Sequence, residues 1–171
     1  MNKNLKKTTK RRGFALIEFT LVGVPLIFLT ISIIEASIAM WQYHSMMYAN
    51  EIVARYAAMH GKGCTQNGNT CTITVGTVAQ MIAAQAPSLD TSKLVVTLYT
   101  NSGNTPCNPI TSCYSSTTQF PGNADNTVGN DVKFVASYPI NNPMPLLWPG
   151  AGHTGGSVFT LGSTTRQRIV F

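Results

Sequence analysis

Lys10-Arg-Arg-Gly-Phe-Ala-Leu-Ile-Glu-Phe-Thr-Leu-Val-Gly-Val-Pro-Leu-Ile-Phe-Leu-Thr-Ile-Ser-Ile-Ile-Glu35 is the stretch whose reading decides the fold. A basic head stops at Gly13, and an apolar run follows at once with one acid, Glu18, set in its first turns. Phe14 to Ile34 form a helix of about 31 Å at 1.5 Å per residue, close to the thickness of a bilayer's hydrocarbon core. A buried helix of a soluble core is rarely this long and apolar on every face. Pro25 lacks an N–H and crowds the carbonyl of Leu21, so a kink is expected there, eased by Gly23.

Charge follows the same division. Lys3, Lys6, Lys7, Lys10, Arg11 and Arg12 give six positive charges before Gly13, with no acid among them. The six later basic residues balance the six acids, so the chain beyond Gly13 is formally neutral. The pI near 9.3 therefore belongs to the head. No Lys/Arg patch of the kind that tracks nucleic acid is visible, and no nucleic-acid partner is expected. A basic tip beside an apolar run stays on the cytoplasmic side of a membrane.

Downstream, Ile38, Trp41, Ser45, Tyr48, Ile52, Tyr56 and Met59 recur at spacings of three and four. They make one stripe of an amphipathic helix, which Gly61 and Gly63 stop. Nothing forces a break between Phe14 and His60, so one helix of roughly 70 Å is expected, its second half packing on the following domain. Trp41 and Tyr43 suit an interfacial aromatic belt, with Glu35 reaching water at the same level.

Beyond the helix, Cys64 and Cys71 bound a polar turn. Gly76 to Ala86 read as a short helix capped by Thr77 and ended by Pro87. Strands are expected at Lys93–Thr100, Asp131–Ile140 and, with a polar middle, Ser157–Phe171. Residues 101–130 read as a long loop clipped by Cys107 and Cys113, and 141–155 as a second loop. The expected fold is α+β, a long N-terminal helix on a small three-stranded antiparallel sheet with one short extra helix. The expected segments are 1–13 as a basic leader, 14–35 as the membrane helix, 36–62 as the amphipathic helix and 63–171 as an exported α+β domain.

Four cysteines in two local pairs suit stapled loops in an oxidising compartment, with 64–71 and 107–113 the preferred pairing among three. Their spacings do not match zinc sites, and His44, His60 and His153 lie far apart, so neither metal nor cofactor is expected. Asp125 and Asp131 flank a glycine but lack the ligand count of a calcium loop. His153 sits in a Gly-rich connection without the strand-to-helix setting of a phosphate cradle. No acid/base pair or nucleophile constellation is apparent, and no enzyme is expected.

Glu18 is the residue a plain anchor does not need. A charge at the centre of a membrane helix costs about 2.5–3.5 kcal/mol, less near its end, and is kept where it has a partner. A chain cut after Gly13 would supply one, the new amine of Phe14.

Lys10-Arg11-Arg12-Gly13-Phe14-Ala15-Leu16-Ile17-Glu18-Phe19 resembles the class III leader of type IV pilins and pseudopilins. Within that group, Glu18-Phe19-Thr20-Leu21-Val22, Pro25 and Ile33-Ile34-Glu35 are similar to TadE-like pseudopilins of the tight-adherence (Flp, type IVc) pilus system. Pro25 lies one position later, relative to the acid, than that resemblance leads one to expect. The resemblance implies cleavage by a prepilin peptidase between Gly13 and Phe14, with Glu18 guiding processing and assembly. It implies partners in that peptidase, in other pilin subunits through the N-terminal helix, and in an inner-membrane assembly platform. The precursor is then expected in a bacterial inner membrane with its domain periplasmic, and on the cell surface after assembly.

Rival readings remain open on the residues. A type II secretion or type IVa minor pseudopilin shares the leader. A secretory signal cut after Ser37-Ile38-Ala39 would be long and flanked by acids. A twin-arginine address at Arg11-Arg12 has no cofactor motif after it. An uncleaved membrane-anchored binding module keeps Met1.

Overall fold

The computed structural model describes residues 12–60, 73–140 and 159–170, with side chains from residue 16 onward. Two compact units divide between Ser37 and Ile38. Helix α1 (Arg12–Met59) is 48 residues long and contributes to both. It runs through Gly23 and Pro25, whose missing N–H leaves the Leu21 carbonyl without its usual donor. Its last turn closes with His60 N donating to the Ala57 carbonyl, and the His60 ring stacks on Tyr56 with centroids 3.9 Å apart.

The first unit is the apolar part of α1. Its large side chains are exposed, Phe19 at 76% and Leu16 at 67%. By length and composition this helix can cross a membrane. An exposed run of this kind has no favourable place in water, so an apolar surrounding is implied.

The globular unit is α+β. After β1 (Ile73–Thr74) comes α2 (Val75–Gln85), then β2 (Val95–Tyr99), β3 (Asn104–Cys107), a 3-10 turn (Ile110–Cys113), β4 (Gln119–Phe120), β5 (Asp131–Ile140) and β6 (Phe159–Arg168). The main sheet has four strands in the order β3-β2-β5-β6, all antiparallel, and β1 and β4 form a second, two-stranded sheet. This corrects the expected three-stranded sheet. Strand β3 was missed because its segment holds Pro106 and offers only Cys107 to the core. Strand β6 passes without a break through its polar middle, since Leu161 and Ser163 point inward while Thr160, Gly162 and Thr164 point out.

The face that α1 buries also differs from the expected one. Met46, Ala49, Val53, Ala54, Ala57 and Ala58 are buried in the common core with Phe134, Leu98 and Val132. Of the expected stripe, Tyr56 packs against this core, Ser45 and Ile52 are half-buried, and Ile38, Trp41, Tyr48 and Met59 are exposed. The reason is volume. Protein interiors are close-packed, and a helix approaches a sheet most closely along its smallest side chains. One buried polar contact crosses this interface, Asn50 Nδ2 donating to Ser163 Oγ at 2.5 Å.

Helix α2 spans Val75–Gln85, close to the expected range, but Thr74 caps it: its hydroxyl accepts from Thr77 N at 3.1 Å. The next orphan donors are met from the segment read as a long loop. Val75 N donates to the Thr118 carbonyl at 2.8 Å and Gly76 N to the Ser116 carbonyl at 3.1 Å. Residues 101–130 are therefore an ordered wrap, with Cys107, Ile110, Cys113 and Phe120 buried. The approach is so close that a Cβ at Gly76 would stand 2.6 Å from the Tyr114 carbonyl oxygen and 2.7 Å from that of Ser116.

Gly→Ala inside a helix ordinarily stabilises by about 1 kcal/mol. At Gly76 the sign should reverse, because backbone must move: Gly76→Ala is expected to destabilise by about 1–3 kcal/mol, read from the denaturant midpoint of the folded chain. An unchanged or raised midpoint would mean that the wrap does not press on α2.

Candidate processing and assembly segment

Gly13, Phe14 and Glu18, the residues expected to carry processing and assembly, lie at the start of α1. Gly13 and Phe14 are in its first turn. Glu18 follows on the exposed surface, and no ion pair or hydrogen bond reaches its carboxylate among the described residues. Its neighbours are apolar and exposed: Ile17, Phe19 and Leu21. A carboxylate among such side chains has neither water nor a cation if that surface lies in lipid, which is the costly setting for a charge.

The hydroxyls of this segment behave differently. Thr20 Oγ1 donates to the Ile17 carbonyl at 2.9 Å, Thr30 Oγ1 to Ile27 at 2.7 Å, Ser32 Oγ to Phe28 at 2.9 Å and Ser37 Oγ to Ile33 at 2.8 Å. Each turns back onto the preceding turn of its own helix, the usual arrangement where no water is at hand. Glu35 is half-buried. Trp41 is 64% exposed, whereas Tyr43 packs against the globular core with its ring edge-on to His44, centroids 5.9 Å apart. The two aromatics expected to form one belt therefore have different surroundings.

In the globular unit Cys107 and Cys113 are joined by a disulfide, Cα–Cα 5.6 Å, which ties the end of β3 to the 3-10 turn. Cys64, Cys71 and His153 lie outside the described residues. Among the described residues, no three His, Cys, Asp or Glu side chains come together as a metal site would require. Asp125 and Asp131 have separate duties. Asp131, at the start of β5, pairs with Arg166 and lies 3.7 Å from Arg168, both on β6. Lys133 beside it sits 5.1 Å from the centre of the Tyr99 ring.

Asp125 was not legible as anything but a loop acid. It is 6% exposed and accepts from Ser102 N at 3.2 Å and from Ser102 Oγ at 2.5 Å. Asn130 Nδ2 donates to the Asp125 carbonyl at 3.0 Å, and Asn101 Nδ2 to Asn130 Oδ1 at 2.9 Å. Together these bonds fasten residues 122–130 to the β2–β3 turn. Burial pushes the Asp125 carboxyl up, but hydrogen bonds from the Ser102 side chain, the Thr100 side chain and the Ser102 backbone outweigh it and hold the group below its ordinary range. Ser102 sits 23 residues away in sequence, a separation that no local pattern reveals.

Against known families, residues 13–55 match the model for TadE-like proteins. The match covers the start of α1, all of its apolar half and most of the half that packs in the globular unit. No curated protein and no solved structure matches the chain.

A carboxyl held low in the folded state stabilises the fold above its unfolded value, near 3.9, and loses that contribution as pH falls through the lower folded value. Asp125→Asn is expected to cost about 1–3 kcal/mol at neutral pH. It should also flatten the loss of stability on acidification below about pH 4. Chemical denaturation of both chains between neutral and acid pH checks this; identical acid limbs would remove Asp125 from the account.

Proposed function

We propose, from the TadE-like match over residues 13–55, that this chain is a minor pilin or pseudopilin of a Tad/Flp-like type IV pilus, used in adhesion or secretion. The match supports a link to the Tad pilus system, and the exposed apolar helix within it supports membrane anchoring. The observation that carries the finer reading is the junction at Gly13: every uncompensated positive charge precedes it and an acid-bearing apolar helix follows.

In this reading the precursor waits in the inner membrane, its basic head held by the anionic cytoplasmic leaflet at about 1 kcal/mol per Lys or Arg. A prepilin peptidase cuts between Gly13 and Phe14. Six positive charges leave with the head, and that anchor is lost. The new amine at Phe14 and the Glu18 carboxylate have opposite charge, so Glu18 is neutralised by the amine of its own chain or of a neighbour. The apolar half of α1 then moves from lipid into a bundle of pilin helices on the assembly platform, while the globular unit stays on the outside.

The test is the N-terminus of the mature protein, by sequencing or intact mass. A start at Phe14 is expected. A start at Met40 would mean secretion by a signal peptide, and an intact Met1 would mean a permanent anchor; either replaces the proposal. Gly13→Ala is expected to leave the precursor in the membrane, and Glu18→Ala to lower processing or incorporation. Normal processing and incorporation of both variants would sink the reading.

A further inference from the structure

The four-stranded sheet has two faces. One lies in the core with α1. On the other, no side chain of β2, β3, β5 or β6 is buried. The register sets Asn104, Tyr99, Lys133 and Arg166 side by side in one row across this open face. The next row is short: Pro106, Thr97, Val135 and Thr164. Beyond it Ser137 stands opposite Gly162, where a Cβ would meet nothing within 4 Å. Long polar side chains therefore border a low floor. Lys133 and Arg166 are directly opposite each other, and like charges so placed cost a sheet stability. Lys133 lies over the Tyr99 ring, and no acid pairs with it among the described residues. Arg166 and Arg168 share one carboxylate, Asp131, and their side chains are 68% and 71% exposed. Elsewhere in the globular unit Arg55 has Glu51 and Lys93 has Asp90. The cations of the described globular unit that lack an acid of their own are thus gathered on this one face. Charges on an edge strand such as β6 keep that edge from pairing. Lys133 is on β5, inside the sheet, where that reason does not apply.

We propose that this open face binds a carboxylate-bearing polysaccharide, with its carboxylates on Lys133, Arg166 and Arg168 and its hydroxyls on the floor beside them. This gives the adhesive use named in the preceding section a ligand, and it rests on that reading only for where the face is displayed. Charge selects the occupant first. Three cations less one acid leave a net charge of +2, too little for the run of phosphates that a nucleic-acid groove tracks. A membrane-docking face lays large apolar side chains into lipid, and these strands expose none here. What surrounds the cations is hydroxyl and amide, from Thr97, Thr164, Ser137 and Asn104. Sparse carboxylates among many hydroxyls are what a uronate polymer presents in return. The planar guanidinium matches a carboxylate with two parallel donors, and Arg166 already meets Asp131 through both Nε and a terminal nitrogen.

The test uses the full chain in phosphatidylcholine nanodiscs. Lys3, Lys6, Lys7, Lys10, Arg11 and Arg12 are replaced by Gln in every sample, because the basic head would take any polyanion. Polygalacturonate is the probe, with dextran, a DNA duplex and phosphatidylglycerol vesicles as the alternatives. Binding to polygalacturonate is expected, weakening with salt, with none to dextran and less to the other two. Lys133→Gln and Arg166→Gln should each weaken it about tenfold, as loss of a charge-assisted contact does, and Lys93→Gln should not. Asp131→Asn should tighten it by releasing both arginines, whereas Asp90→Asn, the same charge change elsewhere, should leave it unchanged. Thr164→Val should weaken it with no change of charge. No binding to polygalacturonate, tighter binding to DNA or to the vesicles, or an equal loss at Lys93→Gln would overturn the proposal. So would an Asp131→Asn chain that keeps its melting temperature and binds no tighter. The mature N-terminus is read separately: a start other than Phe14 removes the pilin reading and leaves this one, and failure to bind does the reverse.

Discussion

The globular unit depends on how closely one helix can approach one sheet. Ala49, Val53, Ala54 and Ala57 have small side chains, and they share one buried core with Phe134 and Leu98. Within that apolar contact Asn50 meets Ser163. Asn50 Oδ1 is buried without a partner among the described residues, so Nδ2 alone makes the contact, and a helix rotated by one residue would lose that bond at a cost of about 1–3 kcal/mol. The hydrogen bond thus holds the rotation of α1, and the rotation decides which of its side chains are used up in the core. Trp41 and Tyr48 are left over because the alanines are not.

That arrangement shows where sequence reasoning succeeds and where it fails. The extent of α1 was legible because its signals are local: a long apolar run, no interior stop, glycines after it. Its buried face was not. Spacing identifies an apolar stripe, and large residues dominate any such count, but the choice between two stripes is made by the sheet, which a one-dimensional pattern does not contain. The β5 strand was legible from alternation, since Val132, Phe134, Ala136 and Tyr138 all point inward. The wrap at 101–130 was not, because its buried residues fall at irregular intervals and its bonds go to α2 and to a distant turn.

The leader and Glu18 are a different case. The reading proposed for them rests on the order of charges and a family resemblance in the sequence, and the fold adds the setting. Glu18 stands on an exposed apolar surface, and its acid is unmatched among the described residues. Asp125 is the converse. Its sequence context is an ordinary polar loop, and only the folded chain reveals a carboxylate satisfied by several donors.

The hydroxyls of Thr20, Thr30, Ser32 and Ser37 carry one further consequence. Each is closed on the helix that bears it. Such a helix carries its own polar accounts with it, so exchanging lipid for neighbouring helices breaks no hydrogen bond and requires none to be made. Its surroundings can change at little enthalpic cost. Two groups in the apolar run are exceptions, the Leu21 carbonyl that Pro25 leaves open and Glu18, and of these Glu18 alone is charged. A helix whose hydroxyls are all closed on itself has, in the Glu18 charge, a means of registering where it is.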